Sequence, residues 1–191
     1  MKTIILASAS PRRKELLKKI GLRFKVEPSN YEEDIPSGLE PHELAQKISL
    51  EKAKVVAVKH QNVIVIAADT FIVFGGRILG KPRTEKEARE MLEAISGESH
   101  SVITGFSIID TGKNKTLSKS VETKIYIRKL TSAEIDAYVK SKEPLDKAGA
   151  YAIQGLGAVF VEKIEGDYFN VIGLPLSALT EALKEFGINI L

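Results

Sequence analysis

Apolar positions recur along the chain with two periods, which together predict strands interleaved with helices. Val63–Ala67 is continuously apolar and predicts a central strand, whereas Val121, Thr123, Ile125 and Ile127 alternate with polar neighbours and predict a half-buried one. Strands are predicted at Thr3–Ala7, Phe24–Glu27, Val63–Ala67, Phe71–Phe74, Arg77–Leu79, His100–Asp110, Ser118–Arg128 and as a pair around Glu165-Gly-Asp167. Helices are predicted at Pro11–Ile20, Pro41–His60, from Thr84 to Gly97, from Thr131 to Lys142, and at Pro175–Phe186.

Residues with special backbone roles mark the ends of these elements. Ser10 is a suitable N-cap for a helix whose first residue is Pro11, and Gly75-Gly76 predicts a two-residue hairpin turn. Capping boxes are predicted for Thr84 with Glu87 and for Thr131 with Glu134. Because hairpins occur among the interleaved helices and strands, the pattern predicts an α/β fold with a mixed sheet flanked by helices.

Composition narrows the class of protein without identifying a function. A chain of 191 residues suits one domain or two closely packed lobes. The absence of cysteine excludes disulfides and thiolate metal sites. The N-terminal apolar run is too short for a signal peptide, and no stretch approaches the ~20 apolar residues of a membrane span. The cytoplasm is therefore the expected location, with no membrane partner.

Charge is concentrated near the N-terminus. Residues 1–30 carry eight basic and two acidic side chains, although the net charge of the whole chain is only +3. Such a pattern is most commonly a solvated basic helix face, and the alternative is an anion site near the N-terminus.

The segment Ser8-Ala-Ser-Pro-Arg-Arg13 lies between a predicted strand and a predicted helix. A helix start offers unpaired N–H groups to phosphate, and the guanidinium groups of Arg12 and Arg13 match phosphate oxygens. The alternative is that Ser10 only caps the helix and both arginines are solvated. The segment lacks the glycine-rich loop of a P-loop or dinucleotide fold.

Two acidic features could provide metal ligands or a general base. Asp69 and Thr70 follow the most hydrophobic predicted strand, at the kind of strand end where α/β proteins bind ligands. The cluster Glu32-Glu33-Asp34 lies in a predicted loop and could converge with Asp69 on Mg²⁺. An aspartate that caps a turn with Thr70, and a solvated acidic loop, are the structural alternatives.

Three further polar residues stand out. Lys52 lies on the apolar face of a predicted helix, where its ammonium either reaches past the helix to solvent or points into a cleft. Lys81 follows the predicted hairpin and is either a ligand-facing charge or an ordinary loop lysine. Gln154 lies in a glycine-rich segment and could read a base edge with its donor and acceptor, or the segment could serve packing alone.

Taken in order, these segments resemble the Maf family of nucleoside triphosphate pyrophosphatases. The matching pieces are LASASPRR, Glu33, LEKA, AADT, LGKPRT, SGESH, EPLDKAGAYAIQG and NVIGLPL, which extend from residue 6 to about 176. The resemblance implies one domain over residues 1–191, with a mixed, strongly twisted sheet and two lobes around a cleft, related to the inosine triphosphatase fold. It also implies Mg²⁺- or Mn²⁺-dependent hydrolysis of a nucleoside triphosphate to the monophosphate and pyrophosphate, and a homodimer.

The resemblance extends to individual residues. It implies that Asp69 is the proton acceptor, that Asp69 and Glu33 are metal ligands, and that the charges of Arg12, Arg13, Lys52 and Lys81 neutralise the triphosphate, with Ser8 also in the substrate site. The family branch active on dTTP and UTP carries Arg, Thr and Gln at its specificity positions, and the branch that prefers 7-methyl-GTP typically carries Trp, Gln and Glu. Here those positions hold Arg12, Thr70 and Gln154, so the resemblance implies the dTTP/UTP branch.

Two other classes of function are compatible with the sequence. The family has been linked to inhibition of septum formation, so one alternative is a regulator of cell division that binds nucleotide and acts by association. The other is a nucleic-acid-binding protein that uses the basic N-terminal helix. Aromatic residues make up only 6% of the chain, which argues against the stacking platform of a single-strand binder.

Overall fold

The computed structural model describes residues 2–31 and 38–191, which contain strands and helices in alternation. The strands are β1 Thr3–Leu6, β2 Lys25–Val26, β3 Val63–Phe74, β4 Arg77–Leu79, β5 Ser99–Asp110, β6 Lys115–Ile127 and β7 Val161–Glu165. The α-helices are α1 Pro11–Lys19, α2 Pro41–Ala57, α3 Glu85–Ile95, α4 Ser132–Lys140, α5 Tyr168–Ile172 and α6 Leu176–Lys184. Short 3₁₀ helices cover Glu143–Asp146, Ala148–Ala150 and Leu156–Phe160. Within the described ranges, none of the helices combines the length and hydrophobicity needed to cross a membrane.

The strands form one mixed sheet, as the sequence predicts. Their order is β2-β1-β3-β5-β6-β7, and β4 pairs with β3. Strand β1 is parallel to both β2 and β3, whereas β4 is antiparallel to β3 and β7 is antiparallel to β6. The register of β1 with β3 ends at Leu6 opposite Ile66, and that of β3 with β4 begins at Ile72. The prediction of a mixed α/β fold is therefore confirmed.

The chain divides into two compact units. Unit 1 comprises residues 1–70, 103–121 and 169–191, and unit 2 comprises residues 71–102 and 122–168. Unit 1 thus contains helices α1, α2 and α6, and unit 2 contains α3, α4 and the 3₁₀ helices. In unit 1 the interior beneath α2 is apolar, and its members are Ile5, Ala7, Ala53, Val56, Ala57, Val63, Val65, Ala67 and Ile109.

Several predicted element boundaries are confirmed. Ser10 caps α1 by accepting a hydrogen bond from the N–H of Arg13, and Gly75-Gly76 forms the hairpin turn with positive φ at both residues. The capping box of Thr131 with Glu134 is complete. The second predicted box is only half formed because the carboxylate of Glu87 accepts from the N–H of Arg83 instead of that of Thr84.

Two predictions along the sheet are wrong. Asp69 does not follow the end of a strand, because β3 continues to Phe74 and joins the two strands that the sequence predicts separately. The strand pair around Glu165-Gly-Asp167 is also absent. Strand β7 ends at Glu165, Gly166 turns the chain with a φ of +127°, and helix α5 begins at Tyr168.

Candidate functional site

Lys52 and Asp69 form an ion pair inside unit 1. The ammonium of Lys52 lies 2.5 Å from Oδ1 of Asp69, and the two side chains are only 13% and 11% exposed. Lys52 therefore does not extend along its helix to solvent, which was one of the two possibilities left by the sequence. Asp69 does not act as a simple turn cap either, since it lies within β3.

The two residues Asp69 and Thr70 point to different helices because successive side chains of a strand face opposite sides of the sheet. Val63, Val65 and Ala67 pack in the cluster with residues of α2, and Asp69 continues that alternation to reach Lys52 on the same helix. Thr70 instead contacts the guanidinium of Arg13 on α1. Asp69 and Thr70 thus link two polar clusters of unit 1, one around Lys52 and one around Arg13. They lie three and four residues beyond Ile66, the last residue of β3 that pairs with β1.

Arg13 holds the second cluster together. Its Nε donates to the carbonyl of Gly173 at 2.9 Å, Nη1 to Oγ of Ser8 at 3.2 Å, and Nη2 to Oγ1 of Thr70 at 3.1 Å. Gly173 has a φ of +122°, a value that favours glycine, and this turns its carbonyl towards the arginine. The planar guanidinium thereby ties three separate segments of the chain to the start of α1.

The two neighbouring arginines differ in their surroundings. Arg13 is half-buried and bonded to protein oxygens, whereas Arg12 is exposed at the start of α1. The first turn of α1 contains no acidic side chain, so its positive end is not neutralised locally. Of the two guanidinium groups, Arg12 is the one presented to solvent, and Arg13 organises the residues around it.

Helix α2 contacts the sheet through a row of bonded serine hydroxyls, Ser49, Ser107 and Ser118, which we call the polar seam. Oγ of Ser49 lies 2.8 Å from Oγ of Ser107, which lies 2.8 Å from Oγ of Ser118. A Cβ at Gly105 would collide with the carbonyl oxygen of Ala45, so the helix backbone lies directly against the strand there. Because Lys52 is on this helix, the seam and the glycine set its distance from the sheet.

In unit 2, Gln154 is exposed at the tip of a β-turn. The N–H of Gly155 donates to the carbonyl of Ala152 at 3.2 Å, which closes the turn around Gln154. Both flanks of this turn are tied to one carboxylate, that of Glu143. On the flank that follows Gln154, the carboxylate of Glu143 accepts directly from the N–H groups of Leu156 at 3.0 Å and Gly157 at 3.1 Å.

The other flank reaches Glu143 through a hydroxyl. The N–H of Ala152 donates to the hydroxyl of Tyr138 at 3.1 Å, and that hydroxyl donates to Oε1 of Glu143 at 2.8 Å. A Cβ at Gly155 would collide with the carboxylate, and one at Gly157 would lie 2.7 Å from the Tyr138 hydroxyl. Burial alone would raise the pKa of Glu143, but the hydrogen bonds that its carboxylate accepts outweigh burial and lower it.

In unit 2, the loop that carries Lys81 makes a backbone hydrogen bond to the segment that contains Gly149. The side chain of Lys81 is exposed, and the carbonyl of the preceding Gly80 accepts from the N–H of Gly149 at 3.1 Å. Gly149 adopts a φ of +68°, and a Cβ there would lie 2.8 Å from the side chain of Ile72. The loop that carries Lys81 is thus bonded to the glycine-rich segment that leads to Gln154.

The three histidines have separate partners. His42 bonds Ser120 and His60 bonds Glu27, while His100 is buried and its Nε2 lies 2.8 Å from the hydroxyl of Tyr151. Burial lowers the pKa of His100 to about 4, so the ring is neutral at pH 7. Burial also raises the pKa of Tyr151, which leaves a hydrogen bond between two neutral groups.

The acidic cluster Glu32-Glu33-Asp34 lies outside the described residues, and so does the predicted role of Glu33. Across residues 2–31 and 38–191, no group of three or more histidine, aspartate or glutamate side chains is arranged to hold a metal ion. Asp69 contributes one carboxylate. A single carboxylate fits a Mg²⁺-type cation that takes its remaining ligands from water and substrate phosphates.

Sequence reasoning missed the residues that support the predicted ones. Thr104 lies within an apolar strand with no motif to mark it, yet it bonds Thr70. Gly173 and Glu143 each lie inside a segment that matches the family, but nothing in their type indicates the bond to Arg13 or to Tyr138. Supporting contacts of this kind depend on long-range packing and leave no local signal.

The sequence is similar to known proteins over nearly its whole length. A family model described as Maf-like protein matches residues 3–186. The chain belongs to the Maf-like family. A dTTP/UTP pyrophosphatase of Methanosarcina barkeri (strain Fusaro / DSM 804) is 51% identical over 191 residues, which cover 100% of this chain and 97% of the relative. One of Bacillus thuringiensis subsp. konkukian (strain 97-27) is 49% identical over 190 residues, covering 100% and 98%.

Solved structures resemble this Maf-like protein at the level of the fold. A HAM1 protein from Coxiella burnetii superposes with a TM-score of 0.52 at 19% identity, covering 97% of this chain and 100% of that one. The Ham1 protein of Staphylococcus aureus gives a TM-score of 0.52 at 14% identity with the same coverage. These likenesses support the mixed sheet flanked by helices that the resemblance implies.

Proposed function

We propose that this Maf-like protein is a nucleoside triphosphate pyrophosphatase that hydrolyses dTTP and UTP to the monophosphate and pyrophosphate. Relatives that match the whole chain at about half identity carry that name. The structural observation that carries the proposal is the dipeptide Asp69-Thr70, which joins a carboxylate–ammonium pair to a hydroxyl held by Arg13. Consecutive residues of one strand thus provide a base, Asp69, and a hydroxyl, Thr70, each bonded to a cationic side chain from a helix.

The reaction requires a water to attack one of the two phosphorus atoms that share the bridging α–β oxygen. As the new P–O bond forms, the bond from that phosphorus to the bridging oxygen breaks, and a proton leaves the water. Asp69 accepts this proton, and Lys52, 2.5 Å away, holds the carboxylate in place. In phosphoryl transfer most of the rate enhancement comes from positioning and charge stabilisation, which suits a site built from a fixed carboxylate and several cations.

The remaining roles follow the family resemblance. Arg12, exposed at the start of α1, and the exposed Lys81 neutralise the triphosphate. Ser8 and Arg13 shape the site by fixing Thr70. Gln154, presented at its turn, reads the pyrimidine edge.

Asp69 and Glu33 are the residues proposed to hold a divalent cation, Mg²⁺ or Mn²⁺. When bound, such a cation neutralises phosphate charge and lowers the pKa of a coordinated water. Asp69 lies in β3, and its bond to Lys52 on α2 restrains the carboxylate.

The experiment is an assay of the purified chain with a panel of nucleoside triphosphates and Mg²⁺ or Mn²⁺, with pyrophosphate and orthophosphate measured separately. We expect pyrophosphate release to be fastest with UTP and dTTP and to be lost in Asp69→Asn, while nucleotide binding survives. Asp136→Asn is the control because this carboxylate is 42% exposed and pairs with Arg89. Nucleotide binding without any metal-dependent pyrophosphate release would instead favour the division regulator.

A cytoplasmic location and a homodimer are also proposed. The location rests on the sequence, and the homodimer rests on the family resemblance alone. Light scattering coupled to gel filtration measures the mass directly, and a value equal to the 20.9 kDa of one chain would contradict the dimer.

A further inference from the structure

A chain of three hydrogen bonds runs through the interior of unit 1 behind Thr70. Nη2 of Arg13 donates to Oγ1 of Thr70 at 3.1 Å, and this oxygen lies 2.9 Å from Oγ1 of Thr104. Thr104 in turn donates to the backbone carbonyl of Asn170 at 3.0 Å. Thr104 and Asn170 are fully buried, whereas Thr70 is half-buried.

The direction of each bond in this chain is fixed by the number of hydrogens available. A carbonyl oxygen can only accept, so the one hydroxyl hydrogen of Thr104 points to Asn170. Thr104 must then accept from Thr70, which uses the only hydroxyl hydrogen of Thr70. Arg13 carries donors alone, so it adds a second bond to Thr70 without supplying an acceptor.

The hydroxyl of Thr70 is therefore left with acceptor capacity only. A hydroxyl has one hydrogen and two lone pairs, and here the hydrogen and one lone pair are occupied. Any ligand group that bonds this oxygen must donate a hydrogen. Phosphate oxygens are acceptors at neutral pH, so the polarity of Thr70 is wrong for the triphosphate and right for an N–H or O–H group.

We propose that Thr104 is a specificity-determining residue that acts through Thr70, by fixing it as an acceptor for the imide N3–H of uracil or thymine. The inference rests on the proposed function and deepens it. Uracil and thymine share a hydrogen at N3, whereas N3 of cytosine is itself an acceptor and would face the Thr70 oxygen with no hydrogen between them. Such a mismatch leaves a buried polar group unpaired, the most selective kind of discrimination available to a pocket.

The test compares kcat/KM for UTP and CTP in wild type, Thr104→Val and Thr104→Ser. Valine has the shape of threonine without the hydroxyl, so it releases the hydrogen of Thr70, which can then turn towards N3 of cytosine. We expect the UTP-to-CTP ratio to fall about tenfold in Thr104→Val, roughly the value of one hydrogen bond exchanged, and to be retained in Thr104→Ser. A residue with a purely structural role would lower both rates together.

Thr123→Val is the matched control. Thr123 is a buried threonine of unit 2 whose hydroxyl donates to the carbonyl of Asp167 and accepts from its N–H, both at 3.0 Å. The substitution removes the same kind of bonds without touching Thr70, so the UTP-to-CTP ratio should stay at the wild-type value. Thermal unfolding of each variant shows whether it is folded.

If Thr104→Val does not fold, Thr70→Val decides the question, because loss of the acceptor should lower the ratio of kcat/KM for UTP to that for CTP. An unchanged ratio in folded Thr104→Val, or wild-type protein that hydrolyses CTP as fast as UTP, overturns the inference and leaves the proposed function intact. A change that appears instead between dTTP and its 2′,3′-dideoxy analogue would assign Thr70 to a sugar hydroxyl and also overturn it. If wild type releases no pyrophosphate from UTP or dTTP, the proposed function itself fails.

Discussion

The hydroxyl of Tyr138 donates a hydrogen bond to Glu143 at 2.8 Å, and through this bond a single carboxylate holds both flanks of the turn that presents Gln154. On one side the hydroxyl accepts from the N–H of Ala152, and on the other the carboxylate accepts from Leu156 and Gly157. A β-turn on the surface is ordinarily among the most mobile parts of a protein. Here its two ends are fixed, so the amide of Gln154 is presented from a defined position.

Glu143→Gln should therefore loosen the turn. The glutamine amide offers one acceptor oxygen in place of two, so at least one N–H of the flank loses its partner, at a cost of about 1–3 kcal/mol in the free energy of unfolding. We expect kcat/KM for UTP to fall more than kcat, because the fall reflects base binding. The measurements are denaturant unfolding and steady-state kinetics.

Glu165→Gln is the control for that variant. Glu165 also accepts from a tyrosine hydroxyl, that of Tyr126 at 2.8 Å, but this bond is exposed and neither group bonds a backbone N–H of the described residues. Its kinetics should match those of wild type. If Glu143→Gln is less stable but has an unchanged kcat/KM, the hydrogen bonds that hold the Gln154 turn contribute to folding alone.

Removal of the Lys52 charge should separate activity from stability. Lys52→Met keeps most of the apolar stem and leaves Asp69 without its ammonium, so we expect kcat to fall by a factor on the order of 100, the usual loss for one preorganised charge. Lys54→Met is the matched control, two residues along the same helix, where the lysine is 52% exposed and pairs with Glu51. Comparable rates in the two variants would contradict a role for Lys52 in the reaction.

Local chemistry explains which elements the sequence predicts well. The hairpin at Gly75-Gly76 and the caps at Ser10 and Thr131 depend on residues a few positions apart, so each can be inferred from the chain alone. The strand predicted after Gly166 fails for the opposite reason. Tyr168–Ile172 has the composition of a strand, but it forms a helix whose Asn170 is buried and bonded to Thr104 from β5.

The candidate site also combines residues that the sequence identifies with contacts that depend on long-range packing. Asp69 and Lys52 are identifiable by type and by resemblance, but their separation of 2.5 Å depends on how α2 lies on the sheet. Thr104, in an apolar strand, carries no mark of function until its partner is known. Glu33 and the proposed metal stay predictions, because Glu33 lies outside the described residues.

His100 should make the protein sensitive to acid. Its pKa falls from the ordinary 6.5 to about 4 in the folded state because burial penalises the charged ring. Between these two values the unfolded chain binds a proton that the folded chain does not, so stability is full above pH 6.5 and is lost as the pH falls towards 4. The linked loss is about 3 kcal/mol.

His100→Gln retains a hydrogen-bonding partner for Tyr151 and cannot be protonated in this range. We expect its free energy of unfolding to fall less than that of wild type between pH 7 and pH 4, measured by urea unfolding at each pH. His60→Gln, which changes a histidine that is 33% exposed, should keep the wild-type fall. Parallel curves for wild type and His100→Gln would contradict the assignment.

Gly105 sets how closely α2 approaches the sheet, and its substitution tests whether that approach controls the reaction. In Gly105→Ala the new methyl group would collide with the carbonyl of Ala45, so the helix must move outward, at a cost of typically 1–3 kcal/mol for an overpacked core. Gly80→Ala is the control for stability, because apart from its chain neighbours no atom of residues 2–31 and 38–191 lies within 4 Å of the added Cβ. Because α2 also carries Lys52, an outward shift of about 1 Å should lower kcat by as much as 100-fold even where the protein remains folded. If stability falls while kcat is unchanged, the Lys52–Asp69 distance does not depend on the contact between Gly105 and α2. The polar seam would then have no part in catalysis.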